Sequence, residues 1–546
     1  MPLRVKRLTD PHADQDALSR LCRPGCVGEE DRIGWRIQVD EEERFGRLAR
    51  GAEQRRLRRP VGELPQRDPA SHGAQRTIAG MSDEVSAGAA ADWARSGVVS
   101  LTGQRRGPPL VPPGGAATLA RRIGARLAAA TSGSDHPVRL DGAALLAERA
   151  AFTGHQRRGQ ISAGGATRLL PTSDGWAAVS CARPDDPLLL AALIGAELPG
   201  DPWPAVAAWL RTHTGSELAD RAALLGLAAT PVDPATPPTN HTTTPTNPAT
   251  PPATPADRAT TPADHATQLA ADRLRSPAGL LVVDFSALWA GPLCAHLLGL
   301  AGARVVKVET PQRLDGARRG NQAFYDLLHA GHRAVLLDPT SAAGRGALRA
   351  LVAAADIVIE SSRPRALAGF GLDAAEAVQQ GTIWVSITAA GRTSPRVGFG
   401  DDVAAGAGLI ACDELRRPVF CGDALADPLT GLVAAEFAMS APPGGRGVLF
   451  DVSMAGVVAA TLAAAQPRPA PAVTALPRRP SPDASQDALP GHPSPAARRA
   501  GTGWVVDTAS GPVPVAPPRA RLGAGRAAAP GEHTDQVLRE LRIPTP

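Results

Sequence analysis

The chain has 546 residues, a formal net charge of +5 and only 3% aromatic residues. Its positive charge is scattered: lysine and arginine total 58, only Lys6 and Lys307 are lysines, and no basic stripe is interleaved with rings, which argues against a nucleic-acid partner. No run of about 18 uncharged apolar residues occurs, so no membrane span is expected.

The opening residues, "MPLRVKRLTDPHADQDALSR", have no apolar core, so no signal peptide is expected. The six cysteines, Cys22, Cys26, Cys181, Cys294, Cys412 and Cys421, follow neither a disulfide framework nor a zinc spacing. Cys22 and Cys26 form a lone C-x3-C without a second ligand pair, so no metal site is expected and a reducing cytoplasm suits the thiols. The excess of arginine over lysine, beside abundant alanine, reads as coding bias in a GC-rich genome.

In chain order, residues 1–80 are dense in charge and poor in apolar periodicity; they read as a disordered or over-extended N-terminus, with Met81 the natural start. Residues 81–230 carry helical patterns such as "AATLARRIGARLAAA" and one hairpin, "ATRLLPTSDGWAAVSCA", and read as a small α+β domain. Residues 231–275 are a Thr/Pro linker.

The texture then changes. "LLVVDFS", "ARVVKVE", "RAVLLD", "DIVIES" and "TIWVSIT" are short β-branched runs with helical segments between most of them. This alternation predicts an α/β fold over 276–467: a doubly wound, mostly parallel, Rossmann-like sheet. Residues 468–500 read as a Pro/Arg linker, and 501–546 as a return segment ending in a short amphipathic helix, "PGEHTDQVLREL".

A doubly wound sheet binds ligands beyond the carboxyl ends of its strands. The loop after the first run, "DFSALWAGPLCAHLLG", has no G-x-G-x-x-G, and neither a G-x-x-x-x-G-K-[ST] phosphate loop nor a G-x-S-x-G elbow occurs. His296, His329 and His332 are solitary and read as structural. In "GDALADPLTG", Asp427 precedes Pro428 and an apolar run, which by itself reads as a helix N-cap followed by proline at the first helical position.

Residues 281–465 resemble the family III CoA-transferases, the CaiB/BaiF family. "VVDFSALWAGPLCAHLLGLAGARVVKVE" is similar to the family's opening strand, Ala-Gly-Pro loop and second strand. "HRAVLLDPTSAAGRGALRALVAAADIVIESSRP", "FGDDVAAGAGL" and "GRGVLFDVSMAGVV" continue the likeness in order. "GDALADPLTG" matches the family's Gly-x-x-x-x-Asp-x-x-Thr-Gly at Asp427, Thr430 and Gly431.

The resemblance implies that Asp427 is a nucleophile forming a covalent aspartyl-CoA intermediate. It also implies that Trp289, Ala290, Leu337, Ser361, Ser362 and Arg363 contact CoA. The implied substrates are an acyl-CoA and a carboxylic acid acceptor, with no permanently bound cofactor, in a cytoplasmic homodimer. An Asp at a helix start serves both readings, because the same amides favour a carboxylate and stabilise an oxyanion.

The chain departs from the family where basic residues usually hold CoA phosphates: Thr310, Thr340 and Gly369 stand there, with Arg313, Arg345, Arg363 and Arg365 as substitutes. Where a 2-methylacyl-CoA racemase branch resembles Gly-His-Asp, this chain has Gly400-Asp401-Asp402, which disfavours racemase chemistry.

The small-domain-like segment here precedes the sheet. "DWARSGVVSLTGQRRGPPLVPPG" (92–114) is faintly similar to "DVAAGAGLIACDELRRPVFCGD" (402–423). The N-terminal half therefore reads as the remnant of a first copy that covers the active site of the second. The alternatives are a non-catalytic CoA-binding paralogue, or an interaction protein recruiting partners through its linkers.

Overall fold

The computed structural model describes residues 88–198, 200–232, 274–362, 364–440, 447–463, 489 and 492–546, all within the compact unit Gln75–Pro546. The expected N-terminal segment 1–80, most of the Thr/Pro linker and much of the Pro/Arg linker lie outside the described residues.

The strands are β1 (Thr167–Pro171), β2 (Trp176–Ser180), β3 (Ala229–Val232), β4 (Leu281–Asp284), β5 (Arg304–Glu309), β6 (Arg333–Leu336), β7 (Ile357–Glu360) and β8 (Ile383–Thr388). They continue with β9 (Ile410–Cys412), β10 (Pro418–Phe420), β11 (Val448–Ser453), β12 (Arg498–Ala500), β13 (Gly503–Thr508) and β14 (Gly511–Pro514). All five β-branched runs become strands of one sheet, in the order β11-β8-β7-β4-β5-β6, and every pair in it is parallel. The chain lays β5 and β6 to one side of β4, then returns to its other side for β7, β8 and β11. The switch point therefore falls between β4 and β7.

The principal helices are α1 (Ala116–Thr131), α2 (Glu148–Thr153), α3 (Asp186–Ile194), α4 (Trp203–Leu210), α5 (Gly215–Leu225), α6 (Ala290–Leu300), α7 (Ala342–Ala353), α8 (Gly400–Gly406), α9 (Ala426–Ala438) and α10 (Thr534–Glu540). Both faces of the parallel sheet are apolar, as helices on both sides require. Side chains alternate along a strand, so Leu281 and Val283 of β4 enter one core while Val282 enters the other. The first core is closed by α7 and by Val537, Leu538 and Ile543 of the C-terminal helix region, which is the amphipathic helix read from the sequence. The second is closed by α6 and α9.

That second core also takes in helical segments that precede the sheet: Trp93, Val98, Ile123, Leu127 and Leu145 bury with Leu293, Val385 and Leu432. Arg126 of α1 lies 2.9 Å from Glu436 of α9, and the Ala516 amide donates to Ala94 O. Only the later part, from β1 to β3, has a core of its own. There the hairpin forms as read, with Pro171 opposite Trp176, and Leu190, Val206 and Leu218 of α3, α4 and α5 pack on it. Thr214 and Glu217 cap α5 reciprocally.

Arg498–Ala500 pair with β13, and the Val111 amide donates to Pro495 O, because the backbone here finds partners on both sides. The faintly similar segments share a local plan: Gly97 and Gly408 are both left-handed, at φ +89° and +90°, and a long helix follows each, α1 and α9.

The helices α6 and α9 cross closely because Gly431 has no side chain. A Cβ there would lie 2.6 Å from Ala290 O and 3.0 Å from Leu293 Cβ. Gly431→Val is expected to lower stability by about 1–3 kcal/mol through overpacking. Gly346→Ala, in α7 with open space around it, should raise it by up to about 1 kcal/mol. Denaturant midpoints of the two variants check both signs.

Candidate active site

Asp427 lies inside α9, not at its cap. The helix begins at Ala426 with Leu425 as N-cap, and no side chain caps it. The cap reading fails because the chain bends earlier: Gly422 (φ +70°) and Ala424 (φ +47°) are left-handed, and the Asp427 amide already donates to Ala424 O. The freed carboxylate turns outward from its own helix and accepts the Gly400 amide. A Cβ on Gly400 would stand 2.3 Å from Ala424 O and 2.6 Å from Asp427 Oδ2, so this close approach requires glycine.

Asp427 is partly buried and stands beside three buried carboxylates, Asp401, Asp402 and Asp423. Asp401 accepts the Ala424 amide at 2.8 Å and the Ser162 hydroxyl. Asp402 accepts the Phe399 amide at 2.8 Å and the Ser180 hydroxyl at 3.1 Å. Asp423 accepts two hydrogen bonds from Arg149, Nε to Oδ2 at 2.9 Å and Nη2 to Oδ1 at 2.6 Å, and its Oδ1 lies 3.2 Å from His155 Nδ1. The second-half carboxylates are thus closed over by residues of the N-terminal half.

The environments push these acids apart. Burial raises Asp427 to about 7; Arg149 and the Gly400 amide oppose the rise, and Asp401 and Asp423 add to it. Burial and the neighbouring Asp423 carry Asp401 to about 6. Burial carries Asp402 to about 7 against its Phe399 and Ser180 bonds. Asp423 is also desolvated, but the Arg149 ion pair overrides burial and holds it well below the ordinary range. One anion is therefore fixed, and Asp427 is poised near neutrality.

Trp289 and Ala290 stand at the carboxyl end of β4, on the switch point. Trp289 is buried, with the Arg149 guanidinium 4.7 Å from its ring centroid and Phe324 packed edge-on at 5.4 Å. Ser361 follows β7 and its Oγ accepts the Ala287 amide at 3.1 Å, so it ties the two loops of the switch point together. Ser362 lies beside it and its Oγ has no partner among the described residues. Leu337 is separate: it follows β6 and packs in the core on the sheet's other face. Arg363 lies outside the described residues. Of the expected phosphate substitutes, Arg345 donates Nη1 to Pro339 O and Thr340 O.

The β4 loop is held by a buried lysine. Lys307 lies 2.9 Å from Asp315 and 3.8 Å from Asp284, and donates to Ser286 O. Burial alone would lower its pKa, but the two carboxylates raise it and keep it charged. Asp315 in turn accepts the Leu288 amide at 3.0 Å. Leu288 has φ +72°, a conformation that bulky residues rarely adopt, and this bond fixes it directly before Trp289.

His296, His329 and His332 are buried, and burial depresses all three, which fits the structural role read for them. Sequence reading missed Arg149, His155, Ser162, Ser180 and Asp423, and used Asp401 and Asp402 only to note a missing histidine. A histidine does approach the cluster, His155, from the other half of the chain. No helix among the described residues is long and apolar enough to cross a membrane.

Residues 278–529 match CoA-transferase family III. The chain is similar to a succinate–glutarate CoA-transferase of Agrobacterium fabrum, 29% identical over 210 residues that are 34% of this chain and 52% of the relative. It is also similar to a succinyl-CoA–D-citramalate CoA-transferase of Chloroflexus aurantiacus, 29% identical over 191 residues, 32% of this chain and 48% of the relative. Among solved structures it is similar to a CAIB/BAIF family protein from Brucella suis, with 29% identity and a TM-score of 0.32 over 35% of this chain and 56% of that one. The chain thus spans about half the length of the relatives it matches.

Asp402 accepts from Ser180 and the Phe399 amide, so it tests the cost of the cluster. Its folded pKa is raised, so its stabilising contribution is complete below the unfolded value and is lost as pH rises through about 7. Asp402→Asn keeps the acceptor oxygen without the charge. It should melt a few degrees above wild type at pH 8, and the gap should close near pH 4.

Proposed function

Because residues 278–529 belong to CoA-transferase family III, we propose that the chain is an acyl-CoA:carboxylate CoA-transferase whose nucleophile is Asp427. The observation that carries the reading is a partly buried carboxylate in the first turn of α9, in the family's Gly-x-x-x-x-Asp-x-x-Thr-Gly context, with its ionisation poised near neutrality.

In this mechanism the Asp427 carboxylate attacks the thioester carbonyl of the donor, the C–S bond breaks, and CoA leaves as a thiolate. The mixed anhydride then takes the thiolate at the Asp427 carbonyl carbon, releasing the donor acid as its carboxylate and leaving aspartyl-CoA. The acceptor carboxylate reverses the two steps, so no proton, oxidant or reductant is consumed. Dividing the exchange this way gives each step a good leaving group. The Gly400 amide donates to the Asp427 carboxylate and holds it for the attack.

CoA is proposed to lie across the switch point, against Trp289, Ala290, Ser361, Ser362 and Arg363, whereas Leu337, buried in the core on the sheet's other face, is no longer assigned to the site. The relatives named for succinate, glutarate and citramalate make small dicarboxylic acids the first donors and acceptors to test. The absence of basic side chains at Thr310, Thr340 and Gly369 favours one second reading, a paralogue that binds CoA without turning it over. The N-terminal half is proposed to be the remnant of a first copy that now roofs the site, in a cytoplasmic enzyme that forms a homodimer.

Intact-protein mass spectrometry of wild type and Asp427→Ala, incubated with an acyl-CoA panel and quenched with borohydride or hydroxylamine, tests the reading. A mass change mapping to Asp427 in wild type only is expected, with transfer reduced at least about 10³-fold in the mutant. The rate should rise with pH through a midpoint near 7, because only the ionised carboxylate attacks. CoA retained without any adduct would establish the binding paralogue instead.

A further inference from the structure

The transferase reading assigns Asp427 its role but leaves Arg149 without one. Arg149 sits in α2, far from Asp427 in sequence, yet its guanidinium bridges the two halves of the site. It grips Asp423 at 2.9 and 2.6 Å and lies 4.7 Å from the Trp289 ring centroid. Its own placement is fixed from the C-terminal segment: Arg521 holds the neighbouring Glu148 at 2.7 and 2.8 Å.

The charged and titratable groups that face Asp427 are Arg149 from α2, Asp401 from α8 and Asp423 from the turn before α9. Beyond these, His155 faces Asp423, and Asp402 is bonded away to Ser180 with Arg396 on its far side. Among the described residues, Arg149 is thus the cation that faces the nucleophile, against two acids.

We propose that Arg149 is a positioning residue of the transfer reaction: it fixes Asp423 and Trp289 around the nucleophile and supplies the positive charge that lets Asp427 act as an anion inside the protein. The proposal rests on the transferase reading, and it makes the N-terminal half a working part of the site. Without the guanidinium, Asp427 would face two acids in a buried setting with only the Gly400 amide to favour its charge. A lysine would keep the charge but lose the two-bond grip on Asp423.

The test reads Asp427 directly, without acyl-CoA. Carboxyl carbon NMR of full-length protein labelled with 13C at the aspartate side-chain carboxyl, assigned with Asp427→Asn, gives the midpoint of the Asp427 titration. Arg149→Gln should raise that midpoint by at least about one pH unit, and Arg149→Lys should restore most of it. The pH profile of CoA transfer should move in parallel, with kcat at pH 7 falling roughly tenfold. Should Arg149→Gln fail to fold, Asp423→Asn serves: it removes one facing acid and frees the guanidinium, so the Asp427 midpoint should fall. An unchanged midpoint in folded Arg149→Gln, or an unchanged or raised one in Asp423→Asn, would overturn the proposal. Absence of any adduct on wild type, with the midpoints moving as described, would instead count against the transferase reading alone.

Discussion

The arrangement around Asp427 follows from burying three carboxylates, Asp401, Asp402 and Asp423, next to it and beside Arg149 and Arg396. An isolated buried charge costs several kcal/mol, so each acid must be paired, hydrogen-bonded or protonated. The protein uses all three solutions. Asp423 is paired with Arg149, while Asp401 and Asp402 take amide and hydroxyl donors and shift toward protonation. Asp427 is left with the Gly400 amide and the facing guanidinium of Arg149, which is itself paired with Asp423.

Several of those provisions come from the N-terminal half: Arg149, His155, Ser162 and Ser180. The parallel sheet delivers the other wall. Its switch point brings the loops after β4 and β7 together, and Lys307, clamped between Asp284 and Asp315, keeps the β4 loop in the strained form that sets Trp289. Two charge systems therefore meet at one ring, the Lys307 cluster beneath Trp289 and the Arg149 cluster above it. Packing joins them, since α6 begins at Ala290 and crosses α9 where Gly431 allows contact.

The parallel sheet was legible because β-branched runs bounded by helical stretches have few other ways to fold, and β4 to β8 fall where those runs lie. The family motif located Asp427, but the local rule misjudged its helix by two residues. The left-handed turn at Ala424 starts α9 early, and nothing in an alanine announces that conformation. The burial of Trp93 and Leu127 against the sheet's own helices was invisible for a related reason: an alanine-rich helix reads the same whether it packs within a small domain or on a distant element. Arg149 was hidden by its abundance. In a chain whose cations are nearly all arginine, the one that matters is distinguished only by what it faces.

The order of segments along the chain matters less to this chemistry than the docking they achieve. A covering segment that precedes the sheet must be joined to it by a long connection, here spanning 233–273. Closing a longer loop adds only about 0.6 kcal/mol per doubling of length. A two-bond ion pair between Arg149 and the buried Asp423, with α1 seated on α9, outweighs an increment of that size. An N-terminal segment placed before the sheet can therefore dock on it at little cost in chain entropy, provided Arg149 finds Asp423.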